Sequence, residues 1–214
     1  MTLALSGIKA KRPMYGRTPK LRVTQTLLSS WQGIFKYESG WEDFLATLNR
    51  EKKQPTQAML DGIRYENCLN SVLNGETITE EHEWYKPITE MAAELDGSQQ
   101  QVTLFKDITV ANDQPVLLHG VLDYLHAGHI YDCKFSKRYQ LNKYLGSPQT
   151  ALYLELVPEA FDFTYIVSDG KYVYREKYPR DIVPMIHITI NQFYDYLKQH
   201  ELWEIYKEKW VVKQ

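Results

Sequence analysis

The chain has 214 residues, 43% of them hydrophobic and 24% charged, which suits one packed domain and excludes a disordered or fibrous chain. No apolar run approaches the roughly 18–20 residues of a bilayer span, and the start MTLALSGIKAKRP lacks the early charge of a signal peptide. Two cysteines, Cys68 and Cys133, are too few for a disulfide framework or a four-cysteine metal or iron–sulfur site, so a reducing cytoplasm is the expected location. The net charge of −2 hides an asymmetry, because residues 1–37 carry seven Lys/Arg and no acid, leaving −9 on the rest. A basic arm on an acidic body suits a polyanion partner, with a solvated terminus as the alternative.

Residues 1–22 read as a basic N-terminal arm, broken by Pro13, Gly16 and Pro19, and residues 23–214 as a single domain. Helices are expected over VTQTLLSSWQGIFKY (23–37) and GWEDFLATLNREKK (40–53). A third is expected from just after Pro55 to the stop signal Asn74-Gly75. Strand-like stretches follow at 102–110, 116–125 and 129–136. Ser147-Pro148 reads as an N-cap and first helical residue, and FDFTYIVSDGKYVYREKY (161–178) as a hairpin turning at Asp169-Gly170. Near the end, Ile190, Phe193, Tyr194 and Leu197 have helical spacing and are expected in the core. Strands in the middle with helices on either side predict an α/β (α+β) domain, a central mixed sheet flanked by helices.

Three groups of residues carry chemistry. If Ala127-Gly128 is the two-residue turn of a hairpin, Asp123 faces Asp132 on one side of the sheet, and Lys134 shares that side. Like charges so placed repel, and Mg²⁺ or Mn²⁺ is the natural resolution, the alternative being a solvated hairpin face. On the helix QAMLDGIRYENCLNSVL, Met59 and Leu73 fall within about 20° of Glu66, and Ile63 and Leu69 within about 60°. That places Glu66 at the centre of an apolar stripe, a costly position unless the carboxylate is neutral, paired or metal-bound. Gln149 and Tyr153 lie one turn apart on the helix after Ser147-Pro148, where an amide and a phenol could position a phosphate or a nucleotide, although Tyr153 also reads as core. His126 and His129 flank the turn and are expected to be solvated or to touch DNA rather than to bind zinc, and His119 is not assigned to a zinc site either. There is no GxSxG, Walker loop, HExxH or GxGxxG.

In order, Gly62-x-x-Tyr65-Glu66, Gly120-x-x-Asp123, Asp132-Cys133-Lys134 and Gln149-x-x-x-Tyr153 resemble the PD-(D/E)XK nuclease superfamily. The closer likeness is to the branch of RecB-type nuclease domains and phage recombination exonucleases, over roughly residues 55–155, with TLLSSWQGIFKY as a weaker echo of their N-terminal helix. The resemblance implies a restriction-endonuclease-like core and a hydrolase of DNA phosphodiester bonds, in its narrower form an exonuclease of recombination or repair. It implies that Glu66, Asp123, Asp132 and the backbone carbonyl of Cys133 hold one or two Mg²⁺ or Mn²⁺ ions. Glu66, Asp123, Asp132 and Lys134 would then be catalytic, with Lys134 orienting or helping to deprotonate the attacking water and steadying charge on the phosphate. Gln149 and Tyr153 would support the site and the DNA, and Lys137 and Arg138, just beyond, are expected DNA contacts. The proline before the first aspartate is replaced by Leu122, and the cysteines of the iron–sulfur relatives are missing, so no cluster is expected. The implied partners are DNA, then a single-strand annealing protein or a helicase, and further copies of the chain; no membrane partner is expected. The competing expectation is the same fold without catalysis, as a DNA- or protein-binding module. Such modules usually lose an acid or the lysine, whereas all four residues are present here.

Overall fold

The computed structural model describes residues 20–212, so most of the basic arm, residues 1–19, lies outside the described residues. The arm is shorter than the sequence suggests: Leu21 and Arg22 already belong to strand β1 (Leu21–Thr24), and Leu21 is buried in the sheet. The other strands are β2 (Gln99–Val110), β3 (Gln114–His126), β4 (His129–Phe135), β5 (Asp162–Ser168) and β6 (Val173–Pro179). They form one mixed sheet in the order β1-β3-β4-β5-β6, with β2 paired along the other side of β3. The β1–β3 and β4–β5 pairs are parallel; β2–β3, β3–β4 and β5–β6 are antiparallel. Every residue of β5 is buried, as expected for a central strand covered on both faces.

Helices cover the two faces. On one lie α1 (Gln25–Gly33), α2 (Gly40–Leu48), α5 (Pro148–Leu156), α6 (Ile186–Gln199) and α7 (Trp203–Trp210), which share a core with Ile130, Phe163, Tyr165 and Val167. On the other, α3 (Gln57–Leu73) and α4 (Tyr85–Leu95) pack Tyr65, Leu69, Ile88 and Met91 against Tyr124 and Ile166. The strand period of two sends Tyr165 and Val167 to one core and Ile166 to the other. This is the α/β class the sequence predicts.

Local chemistry sets the boundaries. Thr24, Thr56 and Ser147 each accept a backbone N–H of the helix they open, and Pro148 occupies the first turn of α5. Ile190, Phe193, Tyr194 and Leu197 are buried as expected, but the C-terminal helical run is broken into α6 and α7, with Glu201 at φ +59°. The β5–β6 turn is longer than a two-residue Asp-Gly turn, because Ser168 pairs with Val173 and Asp169 Oδ1 accepts from Lys171 N and Tyr172 N, both at 2.8 Å. The sequence expectations omit α4, although Ile88, Met91 and Leu95 have helical spacing and are fully buried. Among the described residues no helix is long and apolar enough to cross a membrane.

Gly120 is required by packing. A Cβ there would stand 2.7 Å from Tyr153 Cε1 and 2.8 Å from Leu156 Cδ1, inside van der Waals contact. Gly120→Ala is therefore expected to destabilise the protein by about 1–3 kcal/mol, the usual cost of overpacking, measured as a lower urea midpoint with an unchanged slope.

Candidate active site

The hairpin joining β3 to β4 turns at Ala127 and Gly128, whose φ values of +48° and +84° match a type I′ turn. His126 pairs with His129, Leu125 with Ile130 and Tyr124 with Tyr131, which is the predicted register. Its next step sets Asp123 opposite Asp132. The ladder stops one pair short of the two aspartates. Nearby, Tyr153 reaches over from α5 and donates from its hydroxyl to the Val121 carbonyl at 2.8 Å. The ring that supplies this bond is the one that packs on Gly120, so the Gly120-x-x-Asp123 and Gln149-x-x-x-Tyr153 motifs form one interlocked contact.

Asp132 is 1% exposed, and its partners explain how a carboxylate survives there. Gln149 Nε2 donates to Oδ1, and Tyr165 donates in turn to Gln149 Oε1 at 3.4 Å, fixing the direction of the amide. Lys134 Nζ lies 2.6 Å from Asp132 Oδ2, yet that oxygen makes no aligned hydrogen bond. Burial alone would pull the Lys134 ammonium down, but Asp132 and Asp123 outweigh it and hold it well above the ordinary lysine range. Asp123 has no comparable support. Burial first, then the Asp132 and Glu66 charges, push its carboxyl up to about 8, and Lys134 only partly offsets them.

Glu66 is half-buried on α3 and accepts from Gln101 Nε2 at 3.3 Å. It does not sit at the centre of a buried stripe. Of the four stripe residues Leu69 is buried and Leu73 half-buried, but Met59 is 57% and Ile63 51% exposed, and α3 buries Tyr65 beside Leu69. The helix is rotated so that Glu66 stands at the edge of the covered face, within electrostatic reach of Asp123. Gln101 is the site residue that sequence reasoning missed. It lies in β2 across from Asp123, between the pairs Gln100–Tyr124 and Val102–Leu122, with a left-handed φ of +51°. A non-glycine residue in that region costs energy and often marks a site, but nothing in the pattern QQQV announces it.

Gln149 and Tyr153 are both about nine-tenths buried or more and are bonded to Asp132 and to the Val121 carbonyl. They position the site from behind. Lys137 and Arg138 are exposed just beyond β4, with Lys137 Nζ 2.6 Å from Asp61 Oδ2 on α3. Cys133 turns its side chain to the α3–α4 core. His129 Nδ1 is 2.9 Å from Asp162, and His119 stacks on Phe105 at 4.6 Å.

Three carboxylates, on α3, β3 and β4, thus lie within electrostatic reach of one another and of the half-buried Lys134 ammonium. Among the described residues no group of three His, Cys, Asp or Glu side chains is already drawn together in metal-holding geometry. The donor chemistry nevertheless fits a hard divalent cation. The groups are all oxygens, burial and then the Asp132 and Glu66 charges raise Asp123, and Asp132 Oδ2 has no aligned donor.

No family model matches the chain, and no curated protein matches it. Among solved structures it is similar to SSO0001, at a TM-score of 0.49 and 14% identity over 86% of this chain and 79% of the other. It is also similar to LHK-Exo in complex with dAMP, at a TM-score of 0.43 and 14% identity over 87% and 92%. Both are distant likenesses in overall fold and carry no argument about chemistry.

Proposed function

We propose that the chain is a divalent-metal-dependent nuclease that hydrolyses DNA phosphodiester bonds, with the PD-(D/E)XK arrangement of site residues. The observation that supports this most is the meeting of Glu66, Asp123, Asp132 and Lys134, drawn from three separate elements, around a carboxyl held up to about 8. Asp123, Asp132 and Glu66 would hold Mg²⁺ or Mn²⁺, with the Cys133 carbonyl as a further ligand. When bound, such ions supply Lewis acidity toward water and phosphate oxygens. The chain's own residues do the rest. Gln149 and Tyr165 keep Asp132 in one orientation. Lys134, kept protonated by Asp132 and Asp123, has donors to offer a non-bridging phosphate oxygen, where negative charge grows during displacement. Lys137 and Arg138 offer exposed charge to the adjoining backbone. The exonuclease and recombination assignment rests on the motif resemblance.

Purified protein is expected to degrade linear DNA with Mg²⁺ or Mn²⁺ and to stop when EDTA is added. Activity that survives chelation would overturn the metal dependence. DNA binding without cutting under any divalent ion would favour the non-catalytic module.

A further inference from the structure

Among the described residues the buried carboxylates are Asp132, Asp162 and Glu176. Asp132 has Lys134 at 2.6 Å, and Asp162 has Lys177 at 2.9 Å. Glu176, on β6 and 5% exposed, has no such cation among the described residues; phenols hold its two oxygens instead. Tyr139 donates to Oε1 and Tyr178 to Oε2, both at 2.6 Å. Burial first, and then the carboxylate itself, hold both phenols well above the ordinary tyrosine range, so both remain donors. A buried carboxylate without a cation is costly, and an apolar side chain at a core-facing strand position would be cheaper. Tyr178 stands two residues away on the same strand, so its bond fixes nothing remote. The bond from Tyr139 does.

Tyr139 belongs to residues 136–147, which join β4 to α5 without a helix or strand of their own. Near the start of this segment Lys137 Nζ lies 2.6 Å from Asp61 Oδ2 on α3, and Lys143 donates to Ser136 Oγ at 2.8 Å. Tyr139 packs on Tyr174 with ring centroids 4.6 Å apart, and Tyr144 on Tyr165 at 4.5 Å, both against the core that α5 shares. The segment therefore runs as a strap from the α3 face to the α5 face around the end of β4, just past Lys134. It carries Lys137 and Arg138, both exposed. The Lys137–Asp61 pair is open to solvent at the lysine, where such pairs contribute little. The bond between Tyr139 and Glu176 is charge-assisted and sheltered, which makes it the strongest tie of the strap to the sheet.

We propose that Glu176 is a positioning residue: through the Tyr139 hydroxyl it latches the 136–147 strap, and so holds Lys137 and Arg138 in place for the DNA backbone beside the carboxylate centre. The latch rests on the contacts of the strap alone; its service to DNA rests on the nuclease reading.

The test compares Tyr139→Phe, which keeps the ring on Tyr174 and removes the hydroxyl, with Tyr178→Phe, which takes the same kind of bond from the same carboxylate and leaves the strap attached. Glu176→Leu removes the latch and the buried charge together. In EDTA, tryptic cleavage after Lys137, Arg138 and Lys143, located by mass spectrometry, is expected to be roughly ten-fold faster or more in Tyr139→Phe and Glu176→Leu, the effect on a local opening of losing one hydrogen bond to a charged group. Tyr178→Phe should be cut there as slowly as wild type. Binding to a labelled blunt DNA duplex in EDTA should weaken about two- to ten-fold in both strap variants, because a loosened lysine or arginine must be re-ordered on binding. With Mn²⁺, KM should rise by a similar factor while kcat holds. Equal tryptic cleavage of Tyr139→Phe and Tyr178→Phe overturns the latch. Faster cleavage of Tyr139→Phe with unchanged DNA binding makes Glu176 a structural residue only and overturns its positioning role, as does a wild type that does not bind the duplex. Faster cleavage and weaker binding beside a wild type that cuts no DNA would keep the proposal and sink the nuclease reading. DNA cutting by wild type with no change in Tyr139→Phe would do the reverse.

Discussion

Lys134→Ala is expected to lower DNA hydrolysis by roughly 10²–10³-fold, the usual cost of removing one donor aimed at developing charge, while Mn²⁺ still binds. The ammonium is no metal ligand, and its nearest partner is Asp132 at 2.6 Å. Removing it leaves Asp132 and Asp123 with more uncompensated charge, so calorimetric titration should show Mn²⁺ affinity equal to wild type or tighter. The same variant in EDTA should melt lower. Breaking a buried ion pair typically costs about 3–5 kcal/mol; the low end applies because the Lys134 side chain is 34% exposed while that of Asp132 is 2% exposed. Single-turnover kinetics at saturating Mn²⁺ separate the two effects. A variant that cuts at the wild-type rate would remove Lys134 from the chemistry. A complete loss of Mn²⁺ binding would make it a residue that shapes the site.

Asp123→Asn is expected to stabilise the protein in EDTA and to flatten its response to pH. The sign follows from the direction of the shift. A carboxyl whose pKa rises on folding, here to about 8, binds its proton more tightly in the folded chain. Its contribution is present in full below about pH 4, the unfolded value, and is lost as pH rises through about 8. Wild type without metal should therefore lose melting temperature steadily across that window, and Asp123→Asn should lose much less. For a chain of this size each kcal/mol is worth about 2–4 °C. Mn²⁺ should raise the wild-type melting temperature most at high pH, where the carboxylate is free to bind, and should raise that of Asp123→Asn little. Asp132→Asn should behave in the opposite way in EDTA, melting lower than wild type, because its carboxylate is the partner of Lys134 and Gln149. Equal melting of Asp123→Asn and wild type across the whole pH range would show that folding does not raise the Asp123 carboxyl.

The outcomes at particular residues divide along physical lines. The β3–β4 register, whose next step would set Asp123 opposite Asp132, is legible because a two-residue turn fixes register over the few pairs that follow it, even with Ala127 in the unfavourable left-handed position. The start of α5 was legible because Ser147 and Pro148 act within one turn. Glu66 was found, but its surroundings were misjudged. Helical periodicity shows which residues share a face of α3 and not which face the sheet covers, and Met59 and Ile63 proved to be outside. Gln149 and Tyr153 are legible as a pair that supports the site, but not their particular partners, Asp132 and Val121, which lie 17 and 32 residues away. Gln101 left no trace in the sequence because its left-handed backbone is imposed by the sheet around it.

By itself, the sequence determined the α/β class, most of the helix and strand spans and the β3–β4 register, which depend on short-range geometry and residue chemistry; the grouping of Glu66, Asp123, Asp132 and Lys134 into one candidate centre rests on the motif resemblance. Only the tertiary structure decided that Asp132, and not Asp123, receives the Lys134 ammonium and the Gln149 amide. It also decided that Glu66 stands at the rim beside Gln101, and that Gly120 and Tyr153 lock the helix to the strand. The reason is that charge compensation and close packing depend on distances of a few ångströms between elements far apart in the chain, and those distances exist only once the sheet has brought the elements together.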